Sequence, residues 1–218
     1  MDVLARLDQA RAECSVLEHP FYERWSAGDL STVELACYAG EYRHAVLALA
    51  EASALAAEKA GPARAGGLRE HAEEEAAHVE LWEEFARASG APAASNGNGE
   101  RALPETEQCV RAWTAGEDLL EHLAVLYAIE AGQPEISRTK TEGLTAHYGY
   151  SAEGPAVEYF RLHELRDSEH AAHSRQLIAE LMAEVQDPQE KADRMVARAR
   201  AALRGNWLLL DGVQEAAA

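Results

Sequence analysis

Histidines and carboxylates occur in this sequence at spacings that could place them around metal ions. The stretch "HELRDSEH" puts His163, Asp167 and His170 four and three residues apart, on one face of a helix. Phe160 lies one turn earlier on that face, so the face is expected to point into the core. Burying an unpaired polar group costs about 2–7 kcal/mol. A metal ion is one partner that would offset this cost.

Two further helices are predicted to turn carboxylate and imidazole groups inward. Glu75 and His78 lie three residues apart on the apolar stripe of a helix predicted over 62–89. Glu130 shares a stripe with Leu126 in a later helix. Helical bundles build di-iron sites from inward glutamates and Glu-x-x-His pairs on facing helices. Here "EAAH" supplies one pair and "DSEH" an aspartate version of another, which favours a two-metal site.

The residue types favour iron, with manganese as the alternative metal. Carboxylates offset the charge of two divalent ions and can bridge them, while imidazoles hold iron without adding negative charge. A structural zinc site would more often use cysteine, and Cys14, Cys37 and Cys109 have no ligand spacing.

Each motif also has a plainer interpretation. The "EEEAAH" run could be a solvated helix face, Glu130 could be a buried acid paired with an arginine, and the trio in "HELRDSEH" could be a hydrogen-bond cluster. Two other histidines, His122 and His147, are predicted to face solvent. A structural or surface position is the default for the rest: His44, His71 and His173.

Composition limits the partners and the location. The chain has 218 residues with 20 Lys and Arg against 38 Asp and Glu, a formal net charge of −18. This excess argues against nucleic acid or an anionic membrane surface as the main partner. The charged N-terminal stretch does not resemble a signal peptide, and no apolar run reaches the ~20 residues of a membrane span. Three cysteines without a CxxC motif fit a reducing cytoplasm best.

The pattern of apolar residues predicts an all-α protein. They recur at helical spacing along most of the chain, and no alternating strand of useful length occurs. We expect one domain over 1–218, a bundle of about seven or eight helices, with a flexible linker at about 90–104. Ser31 and Glu34 form a predicted capping box, and Asp187 is a predicted N-cap.

At these motifs the chain resembles the haem-oxygenase-like dinuclear iron oxidases, a branch of the TenA/PqqC-like superfamily. Within them it is most similar to the branch of the chlamydial protein associating with death domains. The resemblance covers about residues 15–185, and H-x-x-x-D-x-x-H is its most specific motif. It is carried by four stretches: "HPFYERWSAGDLS" (19–31), "EEE…HVELWEEF" (73–85), "LYAIEAGQPEISRTKTEGLTAHYG" (126–149) and "YFRLHELRDSEH" (159–170).

The resemblance implies a haem-oxygenase-like bundle with two iron ions, or iron and manganese, and a need for dioxygen and an external reductant. The chlamydial relative has more residues between its ligand glutamate and histidine, so Glu74 is an alternative to Glu75. The resemblance implies six metal ligands: Glu75, His78, Glu130, His163, Asp167 and His170.

The resemblance also implies a reaction. The chlamydial relative forms para-aminobenzoate by sacrificing its own tyrosine and lysine side chains. Here Ile129 stands where that relative has a tyrosine, directly before the glutamate equivalent to Glu130, so a radical relay through this position is not expected. Four residues match the reacting pair and the pocket tyrosines: Tyr22, Lys140, Tyr38 and Tyr159.

Three alternatives remain open from the sequence. The same di-iron site could act on an external small molecule, by fatty-acid decarboxylation, amino-acid cleavage or N-oxygenation. The chain could instead be a non-catalytic TenA-like regulatory or partner-binding protein, and a homodimer is compatible with either role. A ferritin-like bundle would use Glu41 in addition to the other carboxylates, although "HPFYERW" and His163 favour the haem-oxygenase-like arrangement.

Overall fold

The computed structural model describes residues 2–93 and 101–217 and confirms the all-α prediction. Within these ranges there are nine α-helices, a single 3-10 turn at Val16–Glu18 and no β-strand. Residues 94–100, the middle of the predicted linker, lie outside the described ranges. The helices are α1 (Val3–Ala12), α2 (Pro20–Ala27), α3 (Thr32–Lys59), α4 (Ala65–Ala88), α5 (Pro104–Thr114), α6 (Leu119–Glu130), α7 (Gln133–His147), α8 (Pro155–Met182) and α9 (Pro188–Ala216).

Side-chain caps set the helix starts that the sequence predicts. Ser31 Oγ accepts a hydrogen bond from the Glu34 backbone N–H at 3.2 Å, and Glu34 Oε2 accepts one from the Ser31 N–H at 2.8 Å. This is a complete capping box at the start of α3. Asp187 accepts a hydrogen bond from the Glu190 N–H and so acts as the N-cap of α9.

Helix α6 occupies the centre of the bundle, in contact with α3, α8 and α9. Every one of its residues is buried, including both charged ones. Helix α4 also packs against α8, so that α4 and α6 both face α8. No helix in the described ranges, α6 included, has both the length and the apolar composition that crossing a membrane requires.

The central position of α6 corrects one prediction. His122 was expected to face solvent, but only 1% of it is exposed. Its ring packs against Gly116, where an added Cβ would lie 2.8 Å from the imidazole. A helix that is apolar around its whole circumference, as "LLEHLAVLYAIE" is, is buried on all sides, so its polar residues are buried too.

A close approach of α2 to α7 depends on Gly143. A Cβ at this position would lie 2.5 Å from Cδ1 of Trp25, a fully buried ring that cannot move aside easily. We expect Gly143→Ala to lower the free energy of unfolding by about 1–3 kcal/mol through overpacking. The matched change Gly40→Ala on α3 meets no atom within 4 Å. It should raise that free energy by about 0.5–1 kcal/mol. Urea unfolding of both variants would measure the difference, and equal effects would contradict the role of Trp25.

Candidate metal centre

The predicted ligands from α4, α6 and α8 come together in the core. Glu75 lies at their centre and is 1% exposed. Its Oε1 is 3.3 Å from His78 Nδ1 and 3.7 Å from His170 Nδ1, and its Oε2 is 3.7 Å from His163 Nε2. Asp167 Oδ1 also lies 3.7 Å from the same Nδ1.

Two overlapping groups of potential ligand atoms lie in this cluster, and neither includes Asp167 or Glu130. One comprises His71, Glu75 and His170, and the other comprises Glu75, His78 and His163. Within each group one ligand atom per residue lies within 4.8 Å of the others. Because Glu75 belongs to both groups, its carboxylate could bridge two metal ions.

The inward-facing atoms of the cluster fit metal ions because, among the described residues, they have no hydrogen-bond partner. Carboxylate oxygens and imidazole nitrogens face one another here, and buried polar atoms are ordinarily hydrogen-bonded. Burial, reinforced by the Glu130 and Glu75 carboxylates, raises the pKa of Asp167 well above its usual range. A bound cation would relieve this repulsion. Within the described residues the atoms without a hydrogen bond include Glu75 Oε1, His78 Nδ1, both Oε of Glu130, His163 Nε2, both Oδ of Asp167, His170 Nδ1 and His71 Nε2.

Hydrogen bonds on the outer side of the His163 and His170 rings orient the inner nitrogens of these rings toward the cluster. His163 Nδ1 donates to the Tyr159 carbonyl oxygen at 2.7 Å, which leaves Nε2 free to bind a metal. His170 Nε2 lies 3.1 Å from Glu74 Oε2, and Arg166 donates to the other oxygen of Glu74 at 2.8 Å. This geometry favours Glu75 over Glu74 as the ligand, because Glu74 contacts only the outer side of His170.

The position of Glu74 leads to a prediction about metal affinity. Glu74→Gln removes the negative charge behind His170 and should weaken metal binding by about 10–100-fold, as loss of such an outer partner typically does. Anaerobic titration with ferrous iron against a competing chelator would measure the affinity. Glu73→Gln, on the same helix, is the control and should have no effect. An unchanged affinity for Glu74→Gln would show that Glu74 does not orient the ring.

The structure also places His71 at the centre, against the default expectation of a structural or surface position. It is 5% exposed, and its Nε2 is 2.9 Å from Glu130 Oε1. These two atoms are close without the alignment of a hydrogen bond. The signal in the sequence was its place four residues before Glu75, on the same stripe. Glu41, the extra carboxylate of the ferritin-like alternative, belongs to neither group and accepts a hydrogen bond from the Leu103 N–H.

Lys140 lies in a second buried cluster with the predicted pocket tyrosines. Its side chain is 1% exposed and forms no ion pair within the described residues. Its Nζ is 5.4 Å from the ring centroid of Tyr22, 5.5 Å from that of Tyr38 and 4.7 Å from that of Tyr42. Burial without a counter-charge lowers the pKa of Lys140 to about 7. Sequence reasoning did not identify Tyr42, although it lies one helical turn after Tyr38.

Aromatic contacts join the lysine cluster to the metal-ligand cluster. The Tyr22 and Tyr38 hydroxyls are 3.1 Å apart, and burial raises the pKa of both well above the usual range. Tyr159 stacks on His163 with ring centroids 4.0 Å apart. The Trp82 ring connects the two clusters: its centroid is 4.9 Å from that of Tyr159 and 5.9 Å from that of Tyr38. The two clusters therefore form one continuous buried region.

The fold and this buried cluster define an all-helical protein of the TenA-like, haem-oxygenase-like class. A TenA homologue from Pseudomonas syringae matches with a TM-score of 0.82 at 16% identity, over 98% of this chain and 91% of that one. At this identity the likeness shows the fold alone.

Sequence comparisons identify the family within that fold. This chain belongs to the family of iron-containing redox enzymes, which matches residues 37–207. A 4-aminobenzoate synthase from Nitrosomonas europaea is 33% identical over 92% of this chain and 86% of its own length. A 4-aminobenzoate synthase from Chlamydia trachomatis is 28% identical over 91% of this chain and 88% of its own length. The family confirms the prediction of an oxidoreductase and favours it over the non-catalytic alternative.

Proposed function

We propose that this protein is a dioxygen-activating di-iron oxidase that forms 4-aminobenzoate from its own Tyr22 and Lys140 side chains. The observation that carries the proposal is the burial of Lys140 among three tyrosine rings, next to the unpartnered ligand cluster. The names of the two relatives described above support the product. Their similarity extends over most of each chain.

The proposed metal ligands are the six that the sequence indicates, with two iron ions or iron and manganese as the cofactor. When bound, these ions would activate dioxygen, with electrons from an external reductant. Glu75 would hold both ions, and the imidazoles of His78, His163 and His170 would bind through the nitrogens that face it. The carbonyl of Tyr159 and the carboxylate of Glu74 would keep two of these rings in place.

The aromatic pocket favours the neutral amine form of Lys140. Burial lowers the pKa of its ammonium to about 7, so a substantial fraction is the neutral amine at neutral pH, and only this form carries a free electron pair. The hydroxyl of Tyr38 lies 3.1 Å from that of Tyr22, and the hydrogen bond between them orients the Tyr22 hydroxyl. The surrounding rings exclude water from both groups. The pocket therefore holds an amine 5.4 Å from the centre of a phenol ring within a buried site.

The decisive experiment is the intact mass of the protein before and after exposure to oxygen. The protein would be loaded anaerobically with ferrous iron and given reductant but no organic substrate, and the supernatant would be assayed for 4-aminobenzoate. We expect a mass loss that maps to Tyr22 or Lys140, together with released product. Tyr22→Phe should abolish both. Tyr150→Phe, whose hydroxyl contacts Ser89 outside the pocket, should leave both unchanged.

Oxygen consumption with an unchanged protein mass would overturn the self-derived substrate. It would support the second candidate, in which the same centre oxidises an external small molecule. A cavity of about 220 Å³ favours this candidate, because it adjoins Ile129, the residue before Glu130. Arg11, Gln133 and Asn206 line it together with the acidic Asp8 and Glu135, and this mixture of both charges suits an amino-acid ligand better than a fatty acid.

A further inference from the structure

We propose that His71 is a seventh metal ligand, which shares one metal position with Glu75 and His170 while His78 and His163 serve the other. This inference rests on the metal centre proposed above. It adds a residue that neither the sequence motifs nor the family resemblance assigns. It also divides the imidazoles into two pairs, one for each metal position, joined by a single shared carboxylate.

The first support is the position of His71 on α4. Glu75 and His78 follow it by four and seven residues, so all three lie on one face of the helix. That face packs against α8, which carries the other imidazoles. His71 Nε2 is 3.8 Å from Glu75 Oε1, and the rings of His71 and His170 have centroids 4.0 Å apart.

The second support is that the inward nitrogen of His71 has no hydrogen-bond partner among the described residues. The nearest acceptor, Glu130 Oε1, lies 2.9 Å away but is not aligned for a hydrogen bond. In the same part of the chain, both Glu130 oxygens also lack a hydrogen-bond partner. A metal ion between such atoms would satisfy an imidazole nitrogen and a carboxylate oxygen at once, as in other nitrogen- and oxygen-ligated iron sites.

The competing role for His71 is that of a counter-ion, an imidazolium that neutralises Glu130 and binds no metal. The two roles differ in what happens when the ring is removed. Removal of a counter-ion would leave the number of bound metal ions unchanged and would not weaken their binding, because it takes a positive charge away from the site. A ligand would weaken one position and spare the other, because His71 belongs to only one of the two groups.

The test is anaerobic titration with ferrous iron, read as bound iron per chain and as affinity against a competing chelator. Wild type should bind two equivalents. His71→Ala should bind one equivalent with wild-type affinity. The second equivalent should bind at least about tenfold more weakly, which is the smallest loss typical when a residue that supports a metal ligand is removed. His78→Ala should also weaken one position, and the double variant should weaken both. His147→Ala, which removes an exposed imidazole, is the control.

The outcomes separate this inference from the function on which it rests. If wild type binds no iron, the metal centre itself is wrong. If wild type binds two ions and His71→Ala binds both with unchanged or higher affinity, the centre stands and His71 is not a ligand. Equal weakening of both positions by His71→Ala would overturn the assignment to one position. Circular dichroism of each variant, with His71→Gln as a replacement that keeps more of the side-chain volume, would verify the fold.

Discussion

Glu75→Gln should eliminate metal binding at both positions, the largest effect of any single substitution in this protein. Glu75 is the residue that both ligand groups share, and its oxygens lie 3.3–3.8 Å from the imidazoles of both groups. The amide keeps the size of the side chain but loses the charge that offsets two divalent ions. We expect the affinity at each position to fall by more than the about 10–100-fold that loss of an outer partner costs.

The neighbouring residue supplies the matched control for this prediction. Glu74→Gln is the same chemical change one residue earlier, at a carboxylate that contacts His170 from outside. It should weaken binding partially, whereas Glu75→Gln should leave no tight site. Iron content after anaerobic loading, with the melting temperature of the metal-free proteins, would measure both. If the Glu74→Gln and Glu75→Gln variants lost iron equally, the distinction between inner and outer carboxylates would be wrong.

Lys140 should make the stability of the metal-free protein rise with pH above neutrality. Burial lowers the pKa of its ammonium to about 7 in the folded protein, from an ordinary value of 10.5. Between these two values the unfolded chain binds a proton that the folded protein does not. Stability therefore increases with pH across this window, by about 1.4 kcal/mol for each pH unit. From about pH 7 to about pH 9.5 the gain from this group is about 3 kcal/mol.

The variant Lys140→Met isolates this contribution, since methionine fits an aromatic pocket and does not titrate. Its free energy of unfolding should exceed that of wild type at about pH 7, and the difference should shrink by about 3 kcal/mol by about pH 9.5. Lys59→Met, which removes an exposed lysine, should show no such pH dependence. Urea unfolding at a series of pH values would give the profiles. Parallel profiles for wild type and Lys140→Met would contradict burial of an unpaired ammonium.

Much of the helical architecture was predictable because its signals are local. Ser31 and Asp187 cap the helices that they were expected to cap, since a side chain and the backbone three residues later meet whatever surrounds them. The inward-facing side of each helix was also predictable from local signals. His163, Asp167 and Glu75 were expected to point inward because the period of the helix alone determines which residues share a stripe with apolar neighbours.

The tertiary structure determines which residues of other helices those faces contact. Glu74 and Glu75 are adjacent in sequence, and only the position of α8 shows that one carboxylate lies inside the cluster and the other behind His170. His71 joins the cluster because α6 brings Glu130 to within 2.9 Å of it. His122 is buried because α6 is surrounded on all sides. Helical periodicity determines the direction of a side chain relative to its own helix, but contacts between helices depend on packing distant parts of the chain together.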